Sequence, residues 1–235
     1  KNCMKMLVTG GAGFIGSNLV DKLVKDGHEV HVIDNFSSGK KDNCNSSAFY
    51  HELDISDIKN LKKMKNIFEE VDTVFHCAAL ARVQPSILNP VKYEKNNTLG
   101  IINILKTAVD MKVRRVIYSA SSSAYGPTEN LPSNEKDAPN PISPYANQKY
   151  YGELCCKMFS AVYSIETVSL RYFNVYGERQ ILGGAYATVV GIFLRQILDK
   201  KPLTINGNGK QRRDFTYVGD VVRANILASK SSKVG

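Results

Sequence analysis

The chain has 235 residues, of which 43% are hydrophobic and 23% charged, with a formal net charge of +9. That length can bury the core of one sizeable domain, or of one domain and part of a second. No apolar run approaches the roughly 18 residues of a membrane span, and the basic residues are scattered rather than gathered with aromatics on a nucleic-acid surface, so the positive field better suits an anionic small substrate.

From the N-terminus, strands alternate with helices. The stretch KNCMKMLVTGG runs straight into glycines and lacks the form of a signal peptide. A buried strand is expected over 5–9 and a helix over 14–25, followed by strands over 29–34 and 49–53 and a helix near 57–66. A strand over 73–77 precedes a long helix over 90–111, and a strand over 115–120 leads into a Pro- and Ser-rich loop over 126–144. A helix over 145–162 and a strand over 166–172 complete the alternation. It predicts an α/β fold, a doubly wound parallel sheet covered on both faces.

After Asn174 the rhythm changes. A loop at Gly183-Gly184, a helix over 186–199, a short strand over 202–205, a turn over 206–210 and a last helix over 217–228 read as the beginning of a smaller substrate domain. The division expected is 1–174 for a cofactor domain and 175–235 for a partial, incomplete substrate domain, with 215–229 packing back on the first.

The segment from Thr9 to Gly16 lies between the first strand and the first helix. Its glycines fit two frames, Gly11-x-Gly13-x-x-Gly16 and Gly10-x-x-Gly13-x-x-Gly16. Glycines there permit a tight turn and a close backbone approach to a pyrophosphate at the helix N-terminus. A purely structural turn is the alternative. Asp34 ends the next strand, 18 residues after Gly16, where a carboxylate accepts from a ribose 2′-hydroxyl and repels a 2′-phosphate. This favours NAD over NADP, with Lys40 and Lys41 nearby as a counterweight.

Tyr145 and Lys149 are four apart at the start of a helix, on one face. An ammonium beside a phenol favours the phenolate, which can then act as a base. An exposed helix pair is the alternative for these two alone. Ser121 follows the fifth strand, at the sheet end where ligands sit in such folds; a turn-capping serine is the bland reading for its neighbours Ser119 and Ser123. The five cysteines show no C-x-x-C pair and the four histidines no metal-ligand spacing, which points to a reduced, intracellular protein without a metal.

Nine segments in order make the sequence resemble the extended short-chain dehydrogenase/reductase superfamily, and within it the UDP-hexose 4-epimerases: TGGAGFIGSNLV, VIDNFSSG, LDISD, VFHCAA, NNTLGIINIL, SASSSAYG, SPYANQK, RYFNVYG and RRDFTYVGDVV. The resemblance implies a Rossmann fold and an NAD-dependent epimerisation at C4 of a UDP-sugar through a 4-keto intermediate. It implies that Gly10, Gly13, Phe14, Ile15 and Gly16 hold the pyrophosphate. Asp34 binds the adenosine ribose with Asn35 and Ser37 beside it, and Asp54 and Ile55 contact the adenine. Cys77, Ala78 and Ala79 line the cofactor, Asn97 supports them, and Tyr172 packs near the nicotinamide. Ser121, Tyr145 and Lys149 match the catalytic Ser/Thr, Tyr and Lys, the last two also touching cofactor. Asn174 and Arg213 hold the substrate diphosphate, Leu203 and Ile205 border the uracil, and Arg82 and Ser122 are further substrate candidates.

The resemblance also implies a cytoplasmic homodimer paired through the helices over 90–111 and 145–162, and a family length that runs on beyond residue 235. Where related 4,6-dehydratases carry an Asp-Glu pair, this chain has Ser122 and Ser123, poor substitutes for an acid and a base in eliminating water. N-acetylhexosamine and uronate 4-epimerases, and a non-catalytic NAD-binding regulator, remain as other readings.

Overall fold

The structure, a computed structural model, describes residues 3–128, 131–183 and 187–234. Gly184 and Tyr186, expected in a loop and at a helix start, lie outside the described residues.

In chain order the elements are β1 (Lys5–Thr9), α1 (Phe14–Lys25), β2 (Glu29–Asp34), β3 (Phe49–Glu52), α2 (Leu61–Phe68), β4 (Val71–His76), α3 (Val83–Leu88), α4 (Pro90–Glu94), a π-helical turn (Lys95–Leu99), α5 (Gly100–Asp110), β5 (Arg115–Ser121), α6 (Pro144–Tyr163), β6 (Glu166–Tyr172), β7 (Asn174–Tyr176), α7 (Val189–Leu198), β8 (Phe215–Tyr217) and α8 (Val218–Lys230). Strands β1 to β6 form one parallel sheet in the order β3-β2-β1-β4-β5-β6. The expected Rossmann arrangement is thus present. Strand order reverses between β1 and β4, which opens a crevice at the carboxyl ends of the strands.

A parallel sheet must be covered on both faces. Strand alternation sends Met6 and Val8 to one face, where α1 and α8 pack, and Leu7 to the other, where α2, α5 and α6 pack. The end of α8 is fastened to the sheet by charge. Arg115, buried on β5, donates from Nε to Glu166 (2.7 Å) and from Nη1 to the Ala228 carbonyl (2.5 Å). Arg114 pairs with Asp72 and Glu166 and reaches the Ser229 carbonyl.

Three expectations change. The helix expected over 90–111 is interrupted by the π-turn, which turns Asn97 inward, buried against the loop after β4. The helix near 57–66 starts later, after a short 3₁₀ turn at Ile58–Asn60. The strand expected over 202–205 is irregular: Thr204 N–H donates to the Gln196 side chain (3.1 Å), and β7 pairs with β8.

Candidate active site

A cleft of about 550 Å³ lies over the carboxyl ends of β1, β4, β5 and β6. Its first wall is the glycine turn. Gly10 sits at φ +72°, and a Cβ on Gly16 would stand 2.2 Å from the Gly10 carbonyl oxygen, so side chains are shut out at the point of closest approach. Gly13 caps α1 without any side-chain hydrogen bond, leaving the first-turn N–H groups for an anion, and Gly13, Phe14, Ile15 and Gly16 all line the cleft.

Asp34 is buried at the end of β2 and accepts from Ala12 N–H (2.9 Å) and Phe36 N–H (2.8 Å). Its carboxylate therefore ties the glycine turn to the next strand while facing the cleft. Asn35 accepts from Ser37, and Asp54 accepts from Ser56 through both N–H and hydroxyl, so these loops are held by short turns. Asn35, Ser37, Asp54 and Ile55 line this end; Cys77, Ala78 and Ala79 form the floor after β4. Below the floor, Thr9 Oγ1 accepts from Ala78 N–H (3.2 Å) and is 2.7 Å from His76 Nδ1. Burial first, then the neighbouring Lys149 charge, hold His76 neutral, its pKa pushed down to about 3.

The other end is built on β5 and α6. Ser143 accepts from Ala146 N–H and Pro144 occupies the first turn, so α6 starts sharply and Tyr145 and Lys149 share a face. Ser121 and Tyr145 line the same cleft. Ser121 Oγ accepts from Ser123 N–H (3.2 Å) and Ser123 Oγ (2.8 Å). Lys149 is buried; its Nζ donates to the Ser119 carbonyl (2.8 Å) and stands 5.2 Å from the centre of the Tyr118 ring. Tyr118 in turn donates to the Lys149 carbonyl (3.3 Å), and Gly152 gives its ring room, since a Cβ there would stand 2.2 Å from the hydroxyl.

Burial raises the Tyr145 pKa above the ordinary phenol value, and the opposing influences are the Ser121 hydrogen bond and the Arg82 charge. Lys149 itself is pushed down to about 8 by burial, with Cys77 opposing. Its ammonium is directed at a backbone carbonyl.

The cleft brings Ser121, Ser122, Tyr145, Lys149, Tyr172, Asn174, Arg82 and Arg213 together with the glycine turn. Asn97 lies one layer back. Its Oδ1 accepts from Leu80 N–H (2.8 Å), and its Nδ2 donates to the Leu80 carbonyl and to Gln148, each at 3.0 Å. Leu203 and Ile205 stand outside the cleft, exposed. Ser119 adds to the wall; its Oγ donates to Cys77 Sγ (3.4 Å) and lies 3.2 Å from the Tyr172 hydroxyl. Strand alternation puts Ser119 on the face of Ser121, the signal by which it could have been found. Phe173, Val175 and Ile181 also line the cleft, Ile181 from a loop with no sequence signal.

The chain matches the NAD dependent epimerase/dehydratase family over residues 6–235. It is similar to the UDP-glucose 4-epimerase of Thermotoga maritima solved with UDP-glucose, at 42% identity and a TM-score of 0.92, covering 96% of this chain and 73% of that one. A UDP-N-acetylglucosamine 4-epimerase from Methanobrevibacter ruminantium, in complex with UDP-N-acetylmuramic acid, is 39% identical with a TM-score of 0.94, over 100% of this chain and 76% of that one. The UDP-glucose 4-epimerase of Mycolicibacterium smegmatis is 37% identical over 231 residues, 96% of this chain and 73% of that protein. A match spanning nearly every residue, over a sheet and cleft of this form, means that the chain belongs to the NAD dependent epimerase/dehydratase family.

Proposed function

We propose that this chain is an NAD-dependent epimerase that inverts C4 of a UDP-sugar of the glucose/galactose type. The observation that carries the reading is one cleft holding a side-chain-free glycine turn at one end and Ser121, Tyr145 and Lys149 at the other. The residues present fit the dinucleotide. The uncapped start of α1 and the glycine cradle suit a pyrophosphate, and Asp34 suits a ribose hydroxyl. Bound there, NAD supplies reversible acceptance of hydride from C4, so that the sugar passes through a 4-keto form.

The chain's own residues would hold and move the proton. Tyr145 would take the proton of the sugar 4-hydroxyl and return it, and Ser121 would hydrogen-bond the same oxygen. Lys149 would hold the cofactor ribose. Asn174 and Arg213 would grip the diphosphate while the sugar turns. Residues 1–174 are read as the cofactor unit and 175–235 as the start of a substrate unit, with 215–229 returning to the sheet.

We place the chain in the cytoplasm as a homodimer. Its five cysteines are unpaired, and among the described residues no helix is long and apolar enough to cross a membrane. Exposed Tyr151, Leu154, Met158 and Val162 make an outward stripe on α6 suited to a partner helix.

A second reading, an N-acetylhexosamine substrate, is favoured by the likeness to the Methanobrevibacter ruminantium enzyme. Incubation with UDP-galactose and with UDP-N-acetylgalactosamine, with the products separated by chromatography, tests both. Tyr145→Phe should lower turnover by at least about 100-fold, the scale of one lost acid/base group, with NAD affinity nearly unchanged. An NAD-bound chain that converts neither sugar would leave the uronate 4-epimerase and the non-catalytic regulator as the readings.

A further inference from the structure

Strand β5 ends at Ser121 and runs straight into a 3₁₀ turn, Ser122–Tyr125. Ser121 is the cap of that turn, its Oγ accepting from the Ser123 N–H (3.2 Å). A second bond ends on the same atom, for Ser123 Oγ donates to Ser121 Oγ at 2.8 Å. A hydroxyl oxygen has two lone pairs and one proton. Ser123 occupies both lone pairs of Ser121, so the Ser121 hydroxyl is left with one role towards the cleft that it lines, that of a donor.

The turn that imposes this is held from several sides. Gly126 closes it at φ +66°, its N–H donating to the Ser123 carbonyl (3.2 Å), and a Cβ there would stand 1.8 Å from the Asn140 carbonyl oxygen. Asn140 N–H donates in turn to the Ala124 carbonyl (2.9 Å). The Tyr125 ring stacks with Phe173 and has the Arg171 guanidinium 4.6 Å from its centre. Arg171 forks onto Glu153 of α6, from Nε at 2.9 Å and from Nη2 at 2.7 Å. The turn that aims Ser121 is therefore tied to the helix that carries Tyr145.

We propose that Ser123 is a positioning residue for the reaction, fixing Ser121 as a donor to the reacting sugar oxygen. The inference rests on the epimerase reading. With Ser121 donating to O4, the 4-hydroxyl proton can leave only towards Tyr145, and the same donation stabilises the 4-keto oxygen until Tyr145 returns the proton. Ser121 itself gains and loses no proton. Which of the two hydroxyls works as the base is thus set by Ser123 before any substrate enters.

The test measures turnover of NAD-loaded wild type, Ser123→Ala, Ser123→Thr, Ser121→Ala and the Ser121→Ala/Ser123→Ala pair. Ser123→Ala should lower kcat about five- to tenfold, the scale of one neutral hydrogen bond, with KM nearly unchanged. Ser123→Thr keeps the hydroxyl and should restore kcat. In the Ser121→Ala background the Ser123 change should cost nothing further. A Ser123→Ala kcat equal to wild type overturns the proposal, as does an equal loss with and without Ser121, which would assign the effect to turn shape. If Ser123→Ala melts too early to assay, Ser123→Cys, a weak donor of similar volume, replaces it. Calorimetry in an NAD-loaded Tyr145→Phe background, with UDP-galactose and with UDP-4-deoxyglucose, reads the bond to O4 without turnover. Adding Ser123→Ala should shrink the preference for the O4-bearing sugar several-fold, and an unchanged preference overturns the inference. Turnover by Tyr145→Phe would instead remove the epimerase reading itself.

Discussion

Asn225 donates from Nδ2 to the Tyr172 hydroxyl at 2.6 Å, joining the last helix to the wall of the cleft. A second bond, from Nδ2 to the Val221 carbonyl (2.8 Å), fixes the amide orientation, since that carbonyl can only accept. Asn225→Leu removes the donor and leaves a buried hydroxyl short of a partner, a cost of about 1–2 kcal/mol. The expected result is NAD affinity weakened several-fold, read by calorimetry. Unchanged affinity would mean that α8 serves the cleft only as cover.

Asp34 has two tasks, so its replacements should separate them. Asp34→Asn keeps a side-chain oxygen for Ala12 N–H but loses the charge, and should reduce the preference for NAD over NADP by about tenfold, the scale of one charge-assisted hydrogen bond. Asp34→Ala should also loosen the glycine turn and weaken both cofactors. Titration of each variant with both cofactors checks this; an Asp34→Asn protein with the wild-type preference would contradict it.

Lys149 carries opposite pH signatures for stability and for binding. Its folded value, about 8, lies below the ordinary 10.5, so between those pH values the unfolded chain binds more protons. Stability should therefore rise with pH across that window, with the penalty fully present below it. Cofactor affinity should fall over the same range as the ammonium is lost. Thermal melts and NAD titrations from pH 7 to about 10 check both, and Lys149→Met should flatten both.

Arg115→Met should destabilise the protein by about 2 kcal/mol, because the Ala228 carbonyl and Glu166 lose a charged donor and the carboxylate is only partly exposed. Glu166 is held below the ordinary carboxylate value, chiefly by its hydrogen bond from Arg115. Its contribution is present above the unfolded carboxylate pKa and disappears as pH falls through the lowered folded value. Denaturant melts should therefore show the gap between Arg115→Met and wild type narrowing in acid.

The strands over 5–9, 29–34 and 166–172 and the helix over 14–25 were legible because each is a short apolar pattern closed by local turn signals. So was the sharing of one helix face by Tyr145 and Lys149, a matter of spacing alone. The direction of Lys149 was not legible, because its acceptor, the Ser119 carbonyl, belongs to another element. The π-turn, the β7–β8 pair and the inward turn of Asn97 depend likewise on partners distant in sequence. The strained backbone of Arg82 shows the same limit, since the side chains of Ser86, Tyr93 and Asn97 hold the residues on either side of it.

The seating of α8 also bears on the order in which the molecule can be made. Phe75, Ile117, Val168 and Leu170 share a face of the sheet with Val222, Ile226 and Ala228. When β6 has just left the ribosome, all six strands exist, yet only α1 is available to shield that face. That face stays only partly covered until the segment ending at Lys230 has been synthesised, although the turn that would receive a dinucleotide was finished by residue 16. In the cell this interval is when the nascent chain most exposes apolar surface, and so when a chaperone that holds unfolded chains has most to do.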